Sequence, residues 1–192
     1  MALNLVETIQ KNLGFHELQK IDPNTQEVKK TENLPSEDYL PQAAIPTVLL
    51  GLYKFSGDKE GNKAILNQKF QGTLLSTIFG KYESNIISKV SEYTGATIEY
   101  TSRKMEEIAG EAVRLIKENV PGDGSDISVK EFLIDQKNNI LLYLPAELQI
   151  GKAIHDDTID DRSHKMEGPV STSMHWLEKF FPSTDRTKEE NF

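Results

Sequence analysis

The residues best suited to chemistry are crowded into one acidic segment, residues 154–164. Four aspartates and two histidines fall within these eleven residues. The order Asp-Asp-x-x-Asp-Asp is typical of sites where Mg²⁺ bridges carboxylates to a phosphate. If the segment is helical, Asp156, Asp160 and His164 share one face, and a hard cation would relieve the repulsion between the carboxylates. One interpretation is therefore a divalent-metal site for a phosphate-containing ligand. Its candidate metal ligands are Asp156, Asp157, Asp160, Asp161 and His164.

The same segment resembles the first aspartate-rich motif of trans-isoprenyl diphosphate synthases. That motif often reads Ile-His-Asp-Asp-x-x-Asp-Asp, with an arginine soon after. The matching residues here are His155, the four aspartates and Arg162. The resemblance implies Mg²⁺-dependent chemistry on a diphosphate. The chain departs from it because those enzymes are much longer, place the motif early and carry a second aspartate-rich motif that this sequence lacks.

A second interpretation makes the acidic segment the start of an ordinary helix. Asp157 would cap a helix that runs to about Met166, with Asp160 and Asp161 near its positive end. Basic residues follow toward the opposite end, where cations are favoured, and Gly168 with the proline after it stops the helix. The sequence leaves both interpretations open and favours the helix cap, which needs fewer assumptions.

The composition limits the classes of partner. The formal net charge is −8, from 30 acidic and 22 basic residues, and the lysines are interleaved with glutamates. Nucleic acids and anionic membranes attract basic stripes, so we expect neither as a partner.

There are no cysteines, which excludes disulfides, thiolate metal sites and cysteine nucleophiles. The N-terminus is a poor signal peptide, and the most apolar window, 43–53, is shorter than the ~20 residues of a membrane span. We therefore expect a cytoplasmic protein.

Helical periodicity dominates the first half of the chain. Apolar residues predict a short helix over 3–13 that stops at Gly14, followed by a polar connection over 21–41. Residues 43–55 are apolar on nearly every side, as in a central buried helix, and Pro46 suits the first turn of that helix. Two further apolar pieces follow, a short one reaching Ile65 and Leu66 and another over 72–79.

The second half carries the clearest helix. An apolar stripe from Ile98 to Ile116, with charged residues off it, predicts an amphipathic helix, and residues 82–94 predict another before it. Ser128 begins a capping-box pattern for the next helix, which Pro145 ends or kinks and which residues 146–154 could resume. A closing helix is predicted over 171–181, and its aromatic residues either complete the core or form a docking face.

The middle of the chain resembles the YidB-like bacterial proteins of unknown function. Three segments carry the resemblance: the glycine-bounded stretch 72–80 ending in Phe-Gly, the helix end 90–95 finishing in Thr-Gly, and the longer helix 105–115. The resemblance spans about residues 72–115 and implies a helical fold in a bacterial protein. It implies no catalytic residue, since none is established for that family.

The sequence as a whole predicts an all-α protein. We expect one domain over 1–181, a bundle of about seven short helices with long polar connections, and a disordered tail over 182–192. The leading functional hypothesis is a non-enzymatic interaction or scaffold module with a protein partner and no cofactor. The alternative is Mg²⁺-dependent binding or processing of a phosphate-containing ligand through residues 156–161.

Thermal unfolding with and without Mg²⁺ and diphosphate separates the two interpretations of the acidic segment. A bound ligand at a hundred times its dissociation constant stabilises a fold by about 2.7 kcal/mol, which raises the midpoint by several degrees. The metal hypothesis predicts this shift in the natural chain and its loss in the Asp156→Asn, Asp160→Asn variant. A helix cap predicts no shift with either ligand.

Overall fold

Helices make up the regular structure of the chain. A computed structural model describes residues 3–22, 24–25, 27–28, 36–120 and 128–154. The described part contains no strand, which confirms the all-α prediction. The α-helices are α1 (Leu5–Asn12), α2 (Ser36–Phe55), α3 (Lys59–Asn67), α4 (Leu74–Phe79), α5 (Glu83–Thr94), α6 (Ile98–Asn119), α7 (Ser128–Leu141) and the single turn α8 (Ile150–Ala153). Short 3₁₀ turns at Gly80–Tyr82 and Ala146–Leu148 join α4 to α5 and precede α8.

The bundle is built around α2, which is buried on every side. Every residue from 40 to 52 is buried, which covers more than three turns of this helix and therefore all directions around its axis. A helix that is apolar all round has to be surrounded by other elements. Five helices meet this requirement by packing on α2: α1, α4, α5, α6 and α7. The core therefore lies along α2, as expected for a single helical bundle.

The start of α2 was predicted wrongly. The prediction placed Pro46 in the first turn and made residues 21–41 a polar connection, whereas the helix begins at Ser36 and contains both Pro41 and Pro46. A proline inside a helix removes a backbone hydrogen bond and costs about 3 kcal/mol. Both prolines are buried, and the apolar surface buried along this helix opposes that cost. The prediction relied on the tendency of proline to occupy the first turn of a helix. Packing against other helices, which the sequence alone does not reveal, opposes that tendency here.

The amphipathic helix predicted from Ile98 to Ile116 is confirmed as α6. Its buried residues include Thr101, Met105, Ile108 and Ile116, at the predicted helical spacing. Ile98 is the exception, because it lies in the first turn and is 56% exposed. Thr97 caps this helix by accepting a hydrogen bond from the Tyr100 amide.

Two buried glutamines hold the first segment of the chain to the bundle. Gln136 of α7 accepts a hydrogen bond from the Leu5 amide at 3.0 Å and donates one to the Leu3 carbonyl at 2.9 Å. Gln42 of α2 pairs with both the amide and the carbonyl of Gln19 and also donates to the Tyr143 carbonyl. Buried backbone groups need such partners, so these amides fix the path of the residues around α1.

Several predictions fall outside the described residues. They are the helix over 171–181, the tail over 182–192 and the C-terminal part of the single domain predicted over 1–181. The described residues all belong to one compact unit, Met1–Asp160. Among the helices of the described part, not one combines the length and apolar character needed to cross a bilayer.

Replacing Gln136 tests its role as a clamp. Gln136→Ala leaves the buried Leu5 amide without its acceptor, and an unpaired buried donor costs about 1–3 kcal/mol. We expect the free energy of unfolding in urea to fall by that amount. Asn138→Ala, at an exposed position of the same helix, is the matched control and should change it by less than about 0.5 kcal/mol. Equal effects of the two substitutions would contradict the clamp.

Candidate functional site

The five metal ligands predicted from sequence, Asp156, Asp157, Asp160, Asp161 and His164, lie outside the described residues. Both interpretations of the acidic segment therefore stay predictions. Within the described ranges, no group of three or more histidine and acidic side chains is arranged to hold a metal ion. The described chain ends at Ile154, which lines a groove in the surface of the bundle.

This groove lies between the end of α2 and the turn that joins α4 to α5. We call it the basic-aromatic groove and define it by Lys54, Phe55, Ile78, Lys81, Tyr82 and Ile154. Its volume is about 360 Å³. Ile78 and Ile154 form a floor that is almost completely buried, at 8% and 2% exposure. Lys54 and Lys81 are exposed at the rim, while Phe55 and Tyr82 are half-buried between rim and floor.

Two glycines create the geometry of the groove. Gly80 has φ +53° and ψ −128°, a conformation that residues with a side chain rarely adopt. It ends α4 and begins the turn that carries Lys81 and Tyr82 beside the end of α2. Gly51 lets α2 and α4 approach closely, because a Cβ at this position would lie 2.5 Å from the Phe79 ring and 2.8 Å from Ile78.

The rim of the groove is positively charged. The ammonium nitrogens of Lys54 and Lys81 lie 5.9 Å and 5.0 Å from the centre of the Tyr82 ring, within the range of cation–π attraction. In the described part of the chain, neither ammonium group forms an ion pair with a carboxylate. Asp58 also lines the groove, and it caps α3 by accepting a hydrogen bond from the Gly61 amide at 2.7 Å. An anion is therefore favoured beside the ammonium groups of Lys54 and Lys81.

A second cavity, of about 320 Å³, lies beside α1 and contains the tyrosine Tyr143. The Tyr143 hydroxyl donates a hydrogen bond to the Glu7 carboxylate at 3.1 Å. Burial, this hydrogen bond and the negative charges of Glu7 and Glu17 raise the pKa of Tyr143 to about 12. The phenol thus stays protonated at neutral pH, where it donates a hydrogen bond and cannot serve as a base. Its role is to tie α1 to the residues that follow α7.

A second tyrosine–glutamate pair holds the connection that precedes α2. The Tyr93 hydroxyl donates to Glu27 at 3.3 Å, and the same carboxylate accepts a hydrogen bond from the Glu147 amide at 2.7 Å. Burial, followed by the charge of Glu27, raises the pKa of Tyr93. Sequence reasoning missed this cluster because Glu27 lies in a stretch with no periodicity, and its partners are far away along the chain.

Comparison with known proteins adds no relative. No family model, curated protein or solved structure matches this chain. The resemblance of residues 72–115 to the YidB-like proteins stays a prediction.

The Tyr143–Glu7 pair predicts a specific loss of stability at alkaline pH. The folded-state pKa of about 12 exceeds the unfolded value of about 10. The stabilisation is therefore complete below about pH 10 and decreases as the pH rises from there toward about 12. Tyr143→Phe should make the fall in the free energy of unfolding between about pH 10 and 12 shallower, because the variant lacks the phenol whose pKa is raised.

Urea unfolding followed by circular dichroism at each pH measures this slope. Identical alkaline slopes for the Tyr143→Phe variant and the natural chain would show that the pair does not favour the protonated phenol.

Proposed function

We propose that this chain is a non-enzymatic helical interaction module that docks a segment of a partner protein in the basic-aromatic groove. The observation that carries the proposal is the convergence of Lys54 and Lys81 on Tyr82 above an apolar floor. Protein-binding surfaces commonly combine an apolar centre, aromatic side chains and a polar rim. The groove has each of these parts.

The surroundings of the groove support a preformed docking surface. Its floor belongs to α4 and to the residues after α8, and both are anchored to the rest of the bundle. Glu106 of α6 accepts hydrogen bonds from the amides of Leu74 and Leu75 at 2.6 Å and 3.0 Å, which fixes the N-terminal end of α4. A surface held in its binding shape loses less conformational entropy on association. The groove therefore suits binding better than a mobile loop would.

A protein partner fits the groove better than a nucleic acid. Nucleic-acid binding needs a track of cations along the phosphate backbone. The described lining of the groove contributes two lysines and one aspartate, in a chain with a net charge of −8. The apolar floor would also stay uncovered beneath a phosphate backbone, whereas a peptide side chain would cover it. These features favour a short peptide segment over a polyanion.

Site-specific photo-crosslinking tests this function in cells of the source organism. A photoreactive benzoylphenylalanine at position 77, where Thr77 lines the groove, should give a discrete covalent adduct with a protein. The same group at position 138, where Asn138 is exposed on α7 and outside the groove, is the control and should not give that adduct. No adduct above the control would contradict the proposal.

Binding between the purified proteins is measured after the adduct has been identified. The captured protein, once identified by mass spectrometry, should bind the purified full chain in isothermal titration calorimetry. Lys54→Glu should weaken this binding about tenfold, which corresponds to roughly 1.4 kcal/mol. An affinity unchanged by Lys54→Glu would show that the contact does not use the groove.

A further inference from the structure

We infer that the occupant of the basic-aromatic groove is an acidic peptide segment, in which carboxylates lie next to a large apolar side chain. The inference rests on the proposed function and names the chemistry of the partner. Its basis is the position of two cations in the groove. Among the described residues that line it, Lys54 and Lys81 place their ammonium groups near the Tyr82 ring, and the one carboxylate, that of Asp58, caps α3.

The two lysines favour an anion by their position. The ammonium nitrogens lie 5.9 Å and 5.0 Å from the centre of one ring, so a carboxylate beside this ring would be attracted by both charges. Lysine is a point charge on a flexible stem, so it accepts a carboxylate without the fixed two-point geometry that arginine imposes. A cationic partner would be repelled by both.

The floor explains why the anion should be part of an apolar segment. Phe55 is half-buried, and the buried Ile78 and Ile154 line the same groove. A small inorganic anion would satisfy the lysines and leave this apolar lining uncovered. A leucine or phenylalanine of the partner would cover it, and burial of apolar area contributes about 25 cal/mol per Å². Together the rim and floor match a carboxylate beside a large apolar residue.

Fluorescence anisotropy with the full chain tests the inference. The probe is a fluorescein-labelled peptide, Glu-Asp-Leu-Phe-Glu-Asp, compared with its uncharged isostere, Gln-Asn-Leu-Phe-Gln-Asn. We expect the acidic peptide to bind at least about tenfold more tightly and to weaken as NaCl rises, because salt screens exposed charges. The Lys54→Glu, Lys81→Glu variant should lose at least about tenfold in affinity for the acidic peptide.

The control variant makes the same change of charge away from the groove. Lys117→Glu, Lys130→Glu replaces two exposed lysines on α6 and α7, neither of which lines the groove. It should keep nearly the affinity of the natural chain. Equal losses in the two double variants would show a general effect of net charge and would overturn the inference.

The remaining outcomes separate this inference from the proposed function. If the groove gives the crosslinked partner and both peptides bind equally or not at all, the acidic specificity is wrong and the docking function stands. If the acidic peptide binds only to an Asp156→Asn, Asp157→Asn variant, then it competes with an acidic segment of the same chain. That result would show that an acidic segment of the same chain occupies the groove, and it would contradict a partner protein as the occupant.

Discussion

Burial of α2 on all sides is the constraint on which the rest of the structure depends. A helix with no polar face cannot lie at a surface, so other helices must cover it, and five of them pack against it. The same burial opposes the cost of two internal prolines. Because the surrounding helices are arranged around a common axis, segments far apart in sequence meet at both ends of α2. The basic-aromatic groove lies at the C-terminal end of this helix, where Lys54 and Phe55 complete its last turn.

Hydrogen bonds from polar side chains add to the apolar packing of the bundle. Gln42 and Gln136 pair with backbone groups around α1, and Glu106 holds the first amides of α4. The hydroxyls of Tyr93 and Tyr143 bind glutamates from the N-terminal part of the chain. Each contact connects an irregular segment or a helix end to a different helix. The bundle thus holds its connections through a small number of long-range hydrogen bonds, which an irregular segment without its own ladder requires.

Charge is unevenly distributed over this acidic chain. The net charge is −8, yet the groove brings two ammonium groups to one aromatic ring. Such a pair of cations favours an anionic group at one place in a chain whose net charge is negative. Binding at the groove would therefore be selective as well as favourable. The proposed acidic partner follows from this contrast together with the apolar floor.

The sequence by itself determined the helical class and the elements that local patterns describe. The periodic stripe of α6 predicted its buried face, and glycines marked the ends of α1 and α5. These features depend on residues within a turn or two of one another, so a single sequence reveals them. The acidic segment was also found this way, and its role stays a prediction.

Only the tertiary structure decided the start of α2, the tyrosine–glutamate pairs and the groove. Lys54 and Tyr82 come together because α2 and α4 approach closely at Gly51 and because Gly80 turns the chain back. No local pattern contains that information, since it depends on which surfaces pack against each other. The burial of apolar surface that stabilises α2 despite its two prolines also depends on packing against other helices. Burial depends on how all the helices of the bundle pack, whereas periodicity and capping depend on the sequence of a single helix.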